Sequence, residues 1–409
     1  MALTVCLCFT QTGSWICLIG LLLVALADGA RLERFVALKK APLLLPLALY
    51  ALAVVASGFF APSGSFSEGW KAFVSLRGIL VAYLVAYQLF AYDGQHSSSI
   101  ASGRTAPALS CLFICGAVSG VFGLIQQVFN FHPFTYPFLQ ATGFLNEPMS
   151  FAGLMQLTSF LALGFLVQGG YKQLPLLAGK YSFIAVVLAN FLGLVFASER
   201  SAWLGMIFAL LSVCFYISPR RFFEGLVALS LLATLAWFTV PVVQTRLSPL
   251  LNAQSDVGVS ARVSIWSKAW HLFEEHPLVG VGVLHFPRID LPEAIVPGHS
   301  KDLNHAHSNY LQILSTTGIL GFTSFLVLLA TTLFTSYRQA RQPDRFYGSI
   351  GLGLLGAMLS LSVAGLFEYN FGSGQVKLIQ WFLLALLLRP IPEAKREDQA
   401  NPSTDSAKQ

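Results

Sequence analysis

Apolar runs of about 20 residues recur along almost the whole chain, and each is long enough to cross the hydrocarbon core of a bilayer. Between these runs lie short polar connections, which is the pattern of helices that cross a membrane back and forth. We therefore predict an all-α polytopic membrane protein with eleven or twelve transmembrane helices. The eleven runs are 4–27, 42–60, 72–92, 107–129, 148–168, 181–197, 201–217, 222–242, 308–335, 347–367 and 375–389.

Charged residues are few: 55% of the residues are hydrophobic and only 11% are charged. They are also unevenly distributed along the chain. The net charge of +6 comes from basic residues that crowd alternate loops, so we expect it to orient the chain and not to bind nucleic acid. The pattern predicts an N-terminus on the outer side of the membrane and a cytoplasmic C-terminus. The crowded loops hold Arg31, Arg34, Lys39, Lys40, Lys172, Lys180, Arg220, Arg221, Arg338, Arg341 and Arg345, and the tail adds Arg389, Lys395, Arg396 and Lys408.

The longest polar insertion divides the chain into four parts. Residues 1–242 hold about eight spans, residues 243–306 form a large loop on the outer side, and residues 307–389 hold three spans. The remaining residues, 390–409, are polar and predict a disordered cytoplasmic tail.

One amphipathic helix is predicted within the large loop, from Ser260 to His276. Ser260 is a suitable N-cap, and Pro277 together with the glycines of "PLVGVG" ends the helix. Four apolar residues recur at helical spacing and predict one apolar face. Such a helix could lie on the membrane surface or cap a cavity. The four residues are Val263, Trp266, Trp270 and Phe273.

Two arginines are candidate ligands for an anion. The apolar stretch 181–217 would be roughly 55 Å long as one helix, so we expect a break near Glu199 and Arg200, at the outer surface. Arg200 could serve as an interfacial anchor paired with Glu199, or it could bind phosphate bidentately, which Lys cannot match. Arg262, at the start of the loop helix, could be a solvated charge or a second phosphate ligand.

His307 lies where the large loop re-enters the membrane, among the short polar residues of "NHAHSN". It could be a structural residue at a helix start, or a general base, because neutral imidazole accepts protons near pH 7. Gly318 lies eleven residues further on, close to three turns, and would let a neighbouring helix approach. A helix starting near His305 would turn the two imidazoles about 200° apart.

Two kinds of bound group are not expected. A zinc site at His305 and His307 lacks a third ligand at motif spacing, so we predict no metal. The stretch "GLGLLG", Gly351–Gly356, fits a dinucleotide fingerprint but lies inside an apolar span with no preceding strand. Close helix packing explains these glycines better, and we predict no cofactor.

Four segments resemble the O-antigen ligase family. His307–Ser308, nine residues, Gly318, two residues and Gly321 fit that family's His-[Asn/Ser/Gln]-x9-Gly-x-x-[Gly/Thr/Tyr] signature. "SERSAWLG" resembles its arginine segment at a periplasmic turn, and "ARVSIWSKAWHLFEEHPLVGVGVLHF" resembles its outer-loop block. "GFLNEPMSFAGLM", residues 143–155, is similar to a further family segment at a helix start.

The resemblance implies a GT-C-like glycosyltransferase of a bacterial inner membrane that acts in lipopolysaccharide assembly. Its donor would be a glycan on undecaprenyl diphosphate and its acceptor the lipid A core, both reached among membrane lipids. His307 would be the base of a metal-independent, inverting transfer, and Arg200 and Arg262 would bind the diphosphate. The residues in supporting positions would be Asn146, Glu147, Glu199, Ser201, Ser308, Asn309, Gly318 and Gly321.

Two other functions stay open at the level of sequence. The superfamily also contains O-antigen polymerases, which differ in the acceptor, and proteins proposed as bicarbonate transporters. A transporter of small anions would require ionisable residues near the middle of its spans. The spans here are almost free of them, which favours chemistry on a lipid-linked substrate at the membrane edge.

Overall fold

The computed structural model describes residues 1–27, 38–39, 41–87, 105–133, 140–248, 257–289 and 304–387. The described residues form α-helices joined by short turns, with no strand among them. The predicted tail 390–409 lies outside them. The helices are α1 (Ala2–Phe9), α2 (Gln11–Ala27), α3 (Leu44–Phe60), α4 (Phe66–Ser75), α5 (Arg77–Ala86), α6 (Thr105–Phe129), α7 (Pro148–Gln168), α8 (Lys180–Phe196), α9 (Arg200–Ile217), α10 (Pro219–Thr239), α11 (Pro241–Leu247), α12 (Val257–Glu275), α13 (Asn309–Ala340), α14 (Arg345–Ala364) and α15 (Gly374–Leu384).

Six of these helices are long and apolar enough to cross a membrane, namely α6, α7, α9, α10, α13 and α14. The bent pair α4–α5 would make a seventh span if it crosses as one unit. Shorter apolar helices coincide with the predicted runs in α2, α3 and α8. The chain is therefore an all-helical, multi-pass protein, and the count of eleven spans stays a prediction.

The first predicted run, 4–27, is two helices and not one. Helix α1 ends before Thr10, whose backbone is extended, and α2 starts at Gln11. The sulfurs of Cys6 and Cys17 lie 3.7 Å apart, although a straight helix would separate these positions by roughly 16 Å. The chain therefore folds back at Thr10 and forms a short helical hairpin.

Helices α7 and α14 pack along each other at the centre of the bundle, and glycines set their separation. A Cβ at Gly353 would lie 2.6 Å from Leu161 Cα, and one at Gly356 would lie 2.8 Å from the ring of Phe160. Side chains larger than glycine would push the two helices apart. The glycines of "GLGLLG" thus serve close packing between helices, as the sequence predicted.

Helix α13 is broken at Gly318, whose φ of 62° and ψ of −165° are not helical. The segment 277–282, "PLVGVG", fills the break and pairs with it through backbone hydrogen bonds. Val281 N donates to Ser315 O at 3.0 Å, and Ile319 N donates to Pro277 O at 2.8 Å. The neighbour that Gly318 admits is therefore an irregular loop segment, which corrects the prediction of a neighbouring helix.

The connections between helices gather at two ends of the bundle. At one end, which we call the site end, the connection before α7 contacts the α8–α9 turn, and α12 contacts the α14–α15 connection. At the other end, Gln168 and Tyr216 both donate to Ala340 O. This second end carries the basic residues of three predicted cytoplasmic loops, so the structure groups alternate loops as the charge pattern requires.

Candidate active site

His307 and Glu368 form a hydrogen-bonded pair at the site end. His307 Nδ1 lies 2.9 Å from Glu368 Oε1, although the two residues are 61 positions apart in sequence. Arg262 approaches the other carboxylate oxygen, with Nη2 3.5 Å from Glu368 Oε2. Glu368 is 7% exposed, so its carboxylate depends on these two contacts to replace lost water, while Arg262 and His307 stay partly accessible.

The sequence around His307 fixes its position from both sides. Ser308 caps α13, since its Oγ accepts a hydrogen bond from Leu311 N at 3.4 Å. Asn309 binds the connection after α14: its Nδ2 donates to Asn370 Oδ1 at 2.7 Å, and its N donates to Gly365 O at 2.8 Å. Asn309 therefore holds the start of α13 against the segment that carries Glu368.

His307 has a φ of 43°, a left-handed conformation that a residue other than glycine adopts at an energetic cost. Ser198 has a φ of 58° and lies in the turn before Glu199, at the same end of the bundle. Strained backbone of this kind tends to cluster at functional sites, where the surrounding structure holds it in place.

The two histidines lie side by side, contrary to the expected 200° separation. Helix α13 begins only at Asn309, so both histidines precede it, and their ring centroids are 4.2 Å apart. His305 Nδ1 accepts a hydrogen bond from His307 N at 3.3 Å. His305 therefore supports the backbone of His307 and is a neighbour of the site.

A cavity of about 540 Å³ is connected to the His307–Glu368 pair through Arg262, which lines the cavity and contacts Glu368, although neither member of the pair lines it. Three arginines from three elements line it: Arg200 at the start of α9, Arg246 in α11 and Arg262 in α12. Glu199 and Ser201 line it as well, so most of the predicted anion-binding residues share one cavity. Away from the charges, the cavity continues along apolar side chains: Trp203, Leu204, Ile207, Leu247, Val263, Trp266 and Phe367.

The turn between α8 and α9 is held by residues that the sequence analysis did not single out. Gln140 Nε2 donates to Glu199 Oε1 at 3.1 Å and to Ser198 O at 3.2 Å. Arg246 Nε donates to the same Ser198 carbonyl at 2.9 Å. These bonds place Arg200 at the cavity and bring Arg246 beside it.

The two acidic residues of the site have opposite pKa shifts. Burial raises the pKa of Glu199 to about 7, and the charge of Glu368 adds to the effect against the opposing charges of Arg246 and Arg262. Burial also disfavours the charged form of Glu368, but the hydrogen bond and charge of His307, with Arg262, outweigh it and lower the pKa of Glu368. Glu368 is therefore the ionised partner of His307.

Helix α12 starts at Val257, three residues before the predicted N-cap Ser260, and ends at Glu275. Its buried face is not the predicted one. Ile265, Ala269 and Leu272 are each 1% exposed and pack on Phe286. Val263 and Trp266 of the predicted face instead line the arginine cavity, so the helix caps that cavity.

Glu368 is the main residue that the sequence analysis missed. It follows directly on an apolar span, in "LFEYN", and that location is a usable signal, because a carboxylate at the edge of a span requires a partner. Arg246 carries the same signal just after α10. Neither signal says which partner the residue finds, since the partners come from distant parts of the chain.

Glu368 also supplies the third ligand that the two histidines lacked in sequence. One ligand atom from each of His305, His307 and Glu368 lies within 4.8 Å of the other two, a set of donors that suits a transition metal. Arg262 beside Glu368 opposes a further cation there. The absence of a metal requirement therefore stays a prediction.

Asn146 and Glu147 do not join this site. They line a second, polar pocket formed with the α1–α2 turn and the start of α15. Gly321 lies in α13 next to the side chain of Thr317, so neither it nor Gly318 contacts His307. The signature glycines therefore shape α13 and do not line the site around His307.

The fold and the site together define a multi-pass membrane protein with a basic, partly apolar cavity beside a histidine–carboxylate pair. Residues 184–326 match the family model described as O-antigen ligase. The matched region contains Arg200, Arg262, His307 and Gly318, and it confirms the resemblance stated from the motifs. A search of curated proteins found no match. The match supports a membrane glycosyltransferase of the O-antigen ligase and polymerase type, with glycan and lipid-linked substrates in general.

Proposed function

We propose that the protein is an O-antigen ligase that transfers a glycan from undecaprenyl diphosphate to the lipid A core on the periplasmic face of the inner membrane. The observation that carries the proposal is the cavity that joins three arginines to a run of apolar side chains. A lipid diphosphate has the same division, with an anionic head and a hydrocarbon chain. Arg200, Arg246 and Arg262 would hold the diphosphate, and the apolar part would hold the first isoprene units.

The His307–Glu368 pair supports the base that this reaction needs. Because ionised Glu368 accepts a hydrogen bond, Nδ1 of His307 carries the proton and Nε2 keeps its lone pair. Nε2 takes the proton of the acceptor hydroxyl, whose oxygen forms a new bond to the anomeric carbon. The bond from that carbon to the diphosphate breaks, and the electron pair leaves with the diphosphate, where the arginines stabilise the charge. Attack opposite the leaving group inverts the anomeric centre.

Substitution of His307 tests the base. In purified full-length protein reconstituted with lipid-linked glycan and acceptor, His307→Ala should lower transfer by about two to four orders of magnitude, while donor binding persists. His305→Ala is the matched control, since it removes the neighbouring imidazole and one backbone contact, and it should lose only several-fold. An intact rate in His307→Ala, or a larger defect in His305→Ala, would show that the base lies elsewhere.

Glu368 is proposed as a positioning residue. Glu368→Gln should lower kcat by about 10- to 100-fold with the KM for donor little changed, because the amide no longer fixes the proton on Nδ1. Glu368→Asp should restore part of the rate. Loss of folded protein in both variants, with no split between kcat and KM, would indicate a structural role instead.

A polymerase is the second candidate function, favoured by the same site because it would differ only in the acceptor. Glycolipids of a deletion strain distinguish the two. Free core with accumulated lipid-linked polymer indicates a ligase, whereas core that carries a single repeat unit indicates a polymerase.

A further inference from the structure

A second pocket of about 420 Å³ opens at the site end, and its walls are largely polar. Its volume falls within the range of about 300–1,000 Å³ that is usual for small-ligand sites. Three separate parts of the chain form it: the α1–α2 turn, the start of α7 and the start of α15. The polar lining residues are Thr10, Gln11, Thr12, Asn146, Glu147, Ser150, Ser373 and Gln375.

Buried hydrogen bonds hold the walls of this pocket in place. Gln126 Oε1 accepts from Thr142 N and Gly143 N at 3.0 and 2.8 Å, and its Nε2 donates to Gly143 O at 3.1 Å. This clamp fixes the turn that presents Asn146 and Glu147. Ser150 Oγ and Ser373 Oγ lie 2.8 Å apart and join the starts of α7 and α15.

The pocket contains a buried acceptor that nothing in the described residues satisfies. Gln375 is 4% exposed and donates from Nε2 to Leu7 O, but its Oε1 has no hydrogen-bond partner there. Backbone N–H groups in the first turns of α7 and α15 offer donors at the same place, because a helix leaves them without a partner of its own. The exceptions are Pro148, which has no N–H, and Val376 N, which donates to Ser373 Oγ. A ligand that fits must therefore both donate and accept hydrogen bonds.

Sugar hydroxyls meet that requirement, and a phosphate does not. A hydroxyl donates to the exposed Glu147 carboxylate or to the Asn146 amide oxygen and accepts from a helix N–H. A phosphate would meet these two acceptors, and the residues that line the pocket include no lysine or arginine to offset its charge. The arginine cavity and this pocket thus differ in the class of ligand they suit.

The pocket adjoins the proposed reaction centre through one short segment. Glu368 and Ser373 are five residues apart in the connection between α14 and α15, and five residues span at most about 18 Å. One end of the segment contacts His307, and the other end lines the pocket. A glycan of a few sugar units whose reacting end lies at His307 can reach the pocket.

We propose that this pocket binds hydroxyl-rich, uncharged sugar units of one of the two glycan substrates. The proposal rests on the proposed glycosyl transfer and adds the part of the chain that recognises the sugar. The pocket distinguishes the glycan from its anionic lipid carrier because amides, hydroxyls, backbone N–H groups and one carboxylate line it, and no guanidinium group does.

The double substitution Asn146→Ala with Glu147→Ala tests the pocket, since both side chains are exposed and their loss leaves the core intact. We expect the KM for one glycan substrate to rise about tenfold, with kcat and the other KM unchanged. Glu275→Ala is the control, an exposed carboxylate at the end of α12 whose surface pair with His271 contributes little. A raised acceptor KM assigns the pocket to the acceptor, and a raised donor KM assigns it to the donor.

Direct binding separates this proposal from the proposed transfer reaction. Saturation-transfer NMR on the full-length protein in nanodiscs would use the acceptor oligosaccharide freed from its lipid, and then the donor glycan freed likewise. We expect a signal from one of them that the double variant loses and Glu275→Ala keeps. If the double variant is active and both KM values are unchanged, the pocket proposal is wrong and the proposed transfer reaction still stands. If the wild-type protein binds neither oligosaccharide, the pocket proposal is wrong, whether or not the protein catalyses transfer.

Discussion

Glu199 places a carboxyl group among the arginines of the cavity, where the proposed donor diphosphate would lie. Its pKa of about 7 follows mainly from burial, with the charge of Glu368 as the next cause. Below pH 7 the group is protonated and neutral, so the cavity keeps its full positive charge. Above pH 7 it ionises and opposes a bound diphosphate.

Donor affinity should therefore fall as the pH rises through 7. We expect the KM for the lipid-linked donor to increase between pH 6 and pH 8, and Glu199→Gln to hold it near its low-pH value throughout. Steady-state kinetics of both proteins, measured across this pH range, give the two donor KM values. A donor KM that rises equally in wild type and Glu199→Gln would assign the pH dependence to another group.

Arg246 is expected to act with the two arginines that the motifs indicate. Arg246→Ala should raise the KM for donor, because it removes a cation from the cavity and a hydrogen bond from the Ser198 turn. Arg200→Lys keeps the charge but loses the planar fork, and should abolish most transfer with normal membrane insertion. Lys71→Ala, at an exposed ion pair outside the cavity, is the control. Wild-type kinetics in both arginine variants would reduce these residues to membrane-edge anchors.

The sequence indicated candidate site residues better than their partners. His307 and Arg200 could be singled out because each is a charged or titratable group at the edge of an apolar span, where such groups are costly without a purpose. Arg262 lies within the large loop and was indicated by its place at the start of the loop helix and by the family resemblance of that segment. Glu368 could not be paired with His307 in advance, because their contact depends on the packing of α13 against α14. The pairing of His305 with His307 was missed for a local reason: the helix start was placed four residues too early.

The break in α13 is an element-scale feature that sequence periodicity cannot show. An apolar run of this length predicts one helix, and only the conformation at Gly318 and the inserted segment 277–282 reveal two. The loop helix α12 gives a second example. It carries two apolar stripes. Val263 and Trp266 of the aromatic stripe that dominates the sequence line the cavity, while the smaller aliphatic stripe is buried in the loop's own core.

Gly318→Ala tests the insertion. A Cβ at Gly318 would collide with the Leu278 carbonyl, and its φ and ψ lie in a region almost exclusive to glycine. We expect a loss of stability of at least about 1–3 kcal/mol and faster proteolysis within residues 277–289. Gly78→Ala, a buried glycine of α5 whose added Cβ would meet its first neighbour at 3.6 Å, should be tolerated. Thermal unfolding in nanodiscs compares Gly318→Ala with Gly78→Ala. Equal melting temperatures of the two variants would contradict the insertion.

At the scale of the whole molecule, the charge pattern predicts which connections share an end of the bundle, and the structure groups them in that way. It also brings together, at the site end, segments that are far apart in the sequence. That convergence could not be read from the sequence, because apolar runs specify that helices cross a membrane but not which helices are neighbours. The helix packing follows from small residues such as the α14 glycines, whose partners lie elsewhere in the chain.

The orientation of the bundle is tested by cysteine labelling in a protein that lacks the six native cysteines. We expect Glu275→Cys, at the site end, to react with an impermeant maleimide added to intact spheroplasts. Arg220→Cys, at the opposite end with an 89% exposed side chain, should react only after the membrane is opened. The reverse pattern would place the proposed chemistry in the cytoplasm and exclude a periplasmic acceptor.

The insertion of segment 277–282 into the break of α13 has a consequence for biosynthesis. The ribosome makes this segment about 40 residues before the groove that receives it, so on the proposed topology it would cross the membrane before its backbone partners have been made. The groove exists only once α13 has formed and bent at Gly318. Glu368 follows α13 in the chain, so the pair of His307 and Glu368 can form only later still. An incompletely inserted chain would therefore lack the candidate site.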